Sequence, residues 1–333
     1  MASMLRRAAT GTLSAFVLAT TPALAQNTAT MPLHKRPDAS GFANFIAVSV
    51  GGGSAGDVLL DTGSTGLRIR AAAAGPDVRL TNIPVTYSYT SGNVLKGVVG
   101  YAKVSFPGAN PTVSTKAEIA IHVVQDITCK AEKPDCPGWK PTEMGVMGVA
   151  YLPFAVFNPL AQLEGDLAGG FIVAADDIAR PTIVPHIVVG LTDQNTAGFS
   201  FAPLEAASGG DQPEGLKAWN TKSVQACFSV DNGPLGCFAT VFDTGAAAGS
   251  FEPPGLPPEL LHTRVRPGSV VTTSVPLAGM KIAIVAGREP WTNRYRYEPP
   301  HGSVLGFNSG GLIFRRMQIA FDAVRGRIGF RVP

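Results

Sequence analysis

The tripeptide Asp-Thr-Gly occurs twice, at 61–63 and 243–245, 182 residues apart, and each copy directly follows an apolar run. Val58-Leu59-Leu60 leads into the first and Ala239 to Phe242 into the second. One copy alone reads as a plain β-turn, because Asp and Gly both favour turns. Two copies in matched contexts read as an internal duplication with divergent loops, each half ending a strand on an acidic corner. The fold must therefore supply two comparable β units.

Composition agrees with that demand. The 333 residues include 38 Gly and 27 Pro, with 45% apolar and only 15% charged residues, which points to many short strands joined by tight turns. Strands are expected at Phe45 to Val50, Pro84 to Tyr89, Val94 to Phe106, Lys116 to Val124, Thr182 to Leu191 and Gly198 to Pro203. Helical spacing of apolar residues predicts one short helix over Asn158 to Leu167. Asp231-Asn232-Gly233 marks a hairpin turn between Cys227 and Cys237.

The N-terminus reads as an export signal. Arg6 and Arg7 precede an apolar stretch, and Ala23-Leu24-Ala25 is an A-x-A cleavage site before Gln26. The expected organisation is a signal peptide over 1–25, an arm or short pro-segment over 26–41, one lobe over 42–205, a linker over 206–215 and a second lobe over 216–333. Secretion or periplasmic export follows from the signal. In an oxidising compartment four cysteines suggest two disulfides. Of the three possible connectivities, the local one, Cys129 with Cys136 and Cys227 with Cys237, closes two short loops.

Several function classes find no support. Formal net charge is +3, falling to +1 without residues 1–25, and no basic run interleaved with aromatics exists, so nucleic acid is not an expected partner. No stretch approaches a membrane span. The five histidines never fall at ligand spacing and there is no CxxC, so no metal or cofactor is expected. Gly51 to Gly56 fits both GxGxxG and GxSxG, but a strand follows where those motifs need a helix, and Ser54 gains no partner.

Paired carboxylates carry a definite chemistry. Two that share a proton have split apparent pKa values, so one serves as base and the other as acid in a single step. Thr62 and Thr244 can brace the corners by hydrogen bonding, and Gly63 and Gly245 let backbone amides approach a carboxylate.

Beyond the corners, Gly145-Val146-Met147-Gly148-Val149-Ala150-Tyr151, Val304-Leu305-Gly306, and the ending Ile319-Ala320-Phe321-Asp322 with Arg327-Ile328-Gly329-Phe330 occur in order. Together these features resemble the pepsin-like aspartic peptidases over most of the chain. The resemblance implies a mostly β, bilobal fold and a secreted endopeptidase, with Asp61 and Asp243 catalytic and Thr62, Gly63, Ser64, Thr244 and Gly245 supporting them. It also implies a monomer whose cleft binds an extended peptide under a flap hairpin, Val85 to Gly100, with Tyr87 or its competitor Tyr89 as the flap tyrosine. The alternative is a pepsin-fold protein that binds peptides without cleaving them.

Three departures from the family pattern set further expectations. Ala246 replaces a hydroxyl residue, so Asp243 loses a donor and the dyad pKa is expected to rise. Arg68 stands where pepsins tend to place a flap-supporting Trp, and it reads as a solvated surface arginine with flap support coming from elsewhere or weakened. In the arm, Lys35 or Arg36 could pair with the dyad in a latent form, although an added outer strand is the favoured reading.

Overall fold

The computed structural model describes residues 28–36, 43–175, 184–247, 249–287, 295–299 and 306–332. The export signal, Val304 and Leu305 lie outside the described residues.

A nine-stranded sheet forms the N-terminal lobe. Phe45–Val50 and Gly56–Asp61 make an antiparallel hairpin across the glycine-rich turn at 51–55. Gly145–Val149 then inserts parallel to Gly56–Asp61 and antiparallel to Thr65–Arg70. A strand enclosed on both edges and both faces has no place for polar side chains, which explains the unbroken Gly-Val-Met-Gly-Val run. Gly148 passes directly behind the first corner, where a Cβ would lie 2.7 Å from the Ser64 carbonyl.

The C-terminal lobe repeats this plan in a seven-stranded sheet. Gln225–Val230 and Gly233–Val241 form the hairpin, turning at Asp231 and Asn232 with φ of 49° and 66°. Two consecutive left-handed residues make the tight turn that matches strand twist. Phe307–Asn308 runs parallel to the end of Gly233–Val241, the counterpart of Gly145–Val149 behind the first corner. Phe228, Phe251 and Phe307 pack together with ring centroids 4.6 to 5.8 Å apart and fill this lobe's core.

A six-stranded sheet joins the halves, in the order Ala29–Pro32, His186–Val189, Gly170–Ala174, Gln318–Asp322, Arg327–Arg331, Ser200–Pro203. Phe171 and Phe321 stack at 4.8 Å across it. The arm thus enters as an outer strand. Its cations are held on the N-terminal lobe, where Lys35 donates to Asn44 at 2.8 Å and Arg36 lies 4.9 Å over the Phe45 ring and donates to Thr142. Pairing of Lys35 or Arg36 with the dyad is therefore not the arrangement seen.

The expected helix over Asn158 to Leu167 is instead two 3-10 turns, Pro159–Gln162 and Gly165–Gly169. Asn158 caps the first by accepting from Leu160 N, and Gly165 at φ 57° breaks the run before an α-helix can propagate. Both disulfides are present, Cys129–Cys136 and Cys227–Cys237.

Candidate active site

Each Asp-Thr-Gly corner sits at the end of its strand, and the two corners grip each other across the lobes. Thr62 N donates to Thr244 Oγ1 at 3.1 Å and Thr244 N donates to Thr62 Oγ1 at 3.0 Å. Each hydroxyl passes its own proton to the opposite strand, Thr62 to Phe242 O and Thr244 to Leu60 O. All four donors lie in buried surroundings, where leaving one unpaired costs about 1–3 kcal/mol. The grip therefore fixes one corner relative to the other.

The glycines then bring the carboxyls together. A Cβ on Gly63 would lie 2.5 Å from the Asp243 carboxyl carbon, and one on Gly245 would lie 2.6 Å from that of Asp61. Asp61 Oδ1 accepts from Gly63 N at 2.8 Å and Oδ2 accepts from the Ser64 hydroxyl at 2.5 Å. Asp243 Oδ1 accepts from Gly245 N at 2.8 Å and Ala246 N at 3.2 Å. The two carboxyls are close enough to share a proton. Asp61 is 5% exposed, while Asp243 keeps an edge toward solvent.

Burial and, after it, the neighbouring Asp61 charge push Asp243 up to about 7, against the pull of the N–H groups of Asn308 and Gly245. The raised value was expected from Ala246, but a lost donor is not its cause. Asn308 Nδ2 donates to Asp243 Oδ2 at 2.7 Å and occupies the place a corner hydroxyl would take. Sequence reading missed Asn308 and its neighbour Ser309, whose hydroxyl accepts from Asp243 N. The signal was their position, two and three residues beyond Gly306 behind the second corner.

Above the dyad lies the hairpin of Arg79–Ser88 and Asn93–Ala102, its turn closed by Tyr89 N to Asn93 O. Tyr87 and Tyr89 alternate onto one face, 4.9 Å apart, and both face Ser64 and the charge of Asp61. Burial raises both phenols above their usual range, so both stay neutral, and the Tyr89 hydroxyl is buried without a hydrogen-bond partner among the described residues.

Arg68 is not the solvated surface residue expected from the sequence. It is fully buried, with its guanidinium 3.5 Å from the Tyr87 ring centroid and its Nη atoms donating to Gly66 O and Thr65 O. Both faces of this strand are buried, and on the face opposite Leu67 and Ile69 Arg68 is covered by Tyr87 and lies beside His122 on the adjacent parallel strand. Burial, then the Arg68 charge, depresses His122 to about 4, so the imidazole beside the guanidinium stays neutral. The face of Tyr87 is thus packed on a cation at the position where the resemblance leads one to expect an indole.

The hairpin is also anchored at its tip. Ile119–Cys129 pairs with Asn93–Ala102 along its whole length and leads into the loop closed by Cys129–Cys136. From that loop Lys130 N donates to Gly92 O and Lys133 Nζ donates to Thr90 O, at 2.9 and 2.7 Å. The double replacement Cys129→Ser/Cys136→Ser is expected to speed amide exchange at residues 90–93 about tenfold or more, because the untethered loop regains chain entropy. Exchange in the seven-stranded sheet should stay unchanged. Equal protection at 90–93 in both proteins would refute this.

Among the described residues no group of three or more His, Cys, Asp or Glu could hold a metal, and no helix is long and apolar enough to cross a membrane.

No family model matches the chain, and no curated protein matches it. Among solved structures it is similar to the aspartic proteinase from Irpex lacteus, at a TM-score of 0.63 and 12% identity, covering 92% of this chain and 97% of that one. At that identity the likeness carries the fold and nothing finer. The chain has the mostly β, bilobal pepsin-like fold of that proteinase.

Proposed function

We propose that this chain is an exported aspartic endopeptidase that binds an extended peptide in its cleft and hydrolyses it with Asp61 and Asp243. The observation that carries the reading is the pair of crossed corners, which hold two carboxyls at proton-sharing distance beneath Tyr87 and Tyr89. In this reading the ionised carboxyl takes a proton from water as the water oxygen attacks the peptide carbonyl carbon. The shared proton passes to the carbonyl oxygen, giving a neutral diol. Collapse of the diol returns a proton to the dyad and protonates the leaving nitrogen as the C–N bond breaks. The residue ranges 42–205 and 216–333 serve as the two catalytic lobes, with 206–215 between them, and the protein works as a monomer. Two disulfides fit an oxidising compartment outside the cytoplasm.

The test is cleavage of a denatured protein mixture by the purified chain from pH 3 to 8, with and without a statine-type inhibitor. Inhibitor-sensitive fragments are expected. A folded protein that yields none at any pH would favour the non-cleaving, peptide-binding alternative.

The pH profile has a direction. The dyad needs one proton to act as acid, and Asp243 retains it up to about 7. The alkaline limb of kcat/KM is therefore expected near neutral pH, with activity lost as the last proton leaves. A limb complete below pH 5 would contradict this.

A further inference from the structure

We infer that Asn308 is a positioning residue of the second corner, doing for the outer oxygen of Asp243 what Ser64 does for that of Asp61. This rests on the peptidase reading above, and the two can fail separately. The corners are alike except at their fourth residue, where the first has Ser64 and the second has Ala246. Ser64 Oγ donates to Asp61 Oδ2, whereas the equivalent oxygen of Asp243 receives the Asn308 amide from a different strand.

That amide is held in one orientation. Its Oδ1 accepts from Gly310 N at 2.8 Å, which forces the NH2 group toward the carboxyl. Its backbone is fixed as well, since Phe307–Asn308 pairs with Val241 on one side and Ser250 on the other. Ser309 adds a second tie, donating its backbone N–H to Val241 O while its hydroxyl accepts from Asp243 N. The strand behind the corner thus touches Asp243 through both its side chain and its backbone amide.

An amide differs chemically from a hydroxyl at this position. A hydroxyl can rotate and switch from donating to accepting, so Ser64 can stay bonded to Asp61 whether that carboxyl is ionised or protonated. The NH2 of Asn308 only donates. It favours the ionised carboxylate and takes one lone pair of Oδ2; Oδ1 already accepts from Gly245 N and Ala246 N, so a proton on Asp243 is left the remaining lone pair of Oδ2. The titratable groups facing Asp243 are Asp61 from the opposite corner and Tyr87 from the flap, with the Arg68 cation beyond Tyr87. The strand that carries Asn308 holds no titratable group.

Asn308→Ala is expected to shift the alkaline limb of kcat/KM upward by about one pH unit, the size of a hydrogen bond to a charged group. It should also lower kcat about tenfold with little change in KM. Asn308→Asp, close in shape, should move the limb further in the same direction because a third carboxyl then faces the pair. Ala246→Ser in the Asn308→Ala background should return the limb toward its original position, since the hydroxyl is restored from the corner itself. A merely structural role would lower activity at every pH alike and would not be rescued by serine at 246. An unmoved limb in Asn308→Ala, or no recovery in the double variant, overturns the inference. Carbon-13 titration of the Asp243 carboxyl supplies a readout that needs no substrate: the midpoint should rise in Asn308→Ala and fall back in the double variant. If the wild type cleaves nothing while the midpoints move in this way, the peptidase reading falls and the role of Asn308 stands.

Discussion

Asp61→Asn and Asp243→Asn are each expected to lower peptide cleavage by about 10⁴-fold, the upper range for a general acid or base, while leaving a folded protein. The two variants should differ in stability. An asparagine at 61 can still accept from Gly63 N through its oxygen, and its NH2 can donate to the Ser64 hydroxyl, which turns to accept. An asparagine at 243 keeps its bonds from Gly245 N and Ala246 N but aims its NH2 at the NH2 of Asn308. Gly310 N holds that second amide in place, so neither donor finds an acceptor by flipping alone. Asp243→Asn should therefore lose about 1–3 kcal/mol in urea unfolding relative to Asp61→Asn. Cleavage within tenfold of wild type by either variant would remove the dyad mechanism. Equal unfolding midpoints would show that Asn308 can reorient.

Much of this site was legible because it repeats. Asp-Thr-Gly after an apolar strand, twice, exposes both corners without any structure, and the enclosed run Gly145 to Val149 has too few polar residues to lie at a surface. Residues acting on a corner from a distant strand left weaker marks. Asn308 lies 65 positions from Asp243, and only the parallel pairing of Thr240 and Val241 with Phe307 and Asn308 brings it there. Composition also misplaced Arg68, since an arginine is far more often solvated than fully buried. Its burial comes from Tyr87, Tyr89 and Phe154 closing over that face of the strand, a tertiary cover that the sequence does not encode locally. The helix expected over Asn158 to Leu167 failed on a local rule. Its apolar spacing is helical, but Gly165 adopts a left-handed conformation that interrupts propagation.

Arg68→Met is the sharpest test of how this cleft differs from one supported by an indole. The guanidinium is stacked on Tyr87 at 3.5 Å, with Tyr89 and Phe154 at 5.8 and 5.6 Å, and donates to two backbone carbonyls. Among the described residues no carboxylate lies within ion-pair distance of it, so aromatic faces and carbonyl dipoles stabilise the charge. A desolvated cation–π contact contributes about 2 kcal/mol, and each stranded carbonyl costs about 1–3 kcal/mol. Methionine relieves the desolvation of the charge and so recovers part of that loss. A net destabilisation of about 2–4 kcal/mol is expected in urea unfolding. Tyr87 then loses the surface that seats it over Ser64 and Asp61, so kcat/KM should fall about 100-fold, about the loss that a displaced positioning group produces. Arg68→Lys keeps the charge but not the planar fork, and should recover only part of either loss. Tyr87→Phe keeps the stacked face and should lose less activity than Arg68→Met, because its ring can still cover the dyad. Wild-type activity in Arg68→Met would mean that the hairpin holds Tyr87 without the cation, through the third strand and the Cys129–Cys136 loop alone.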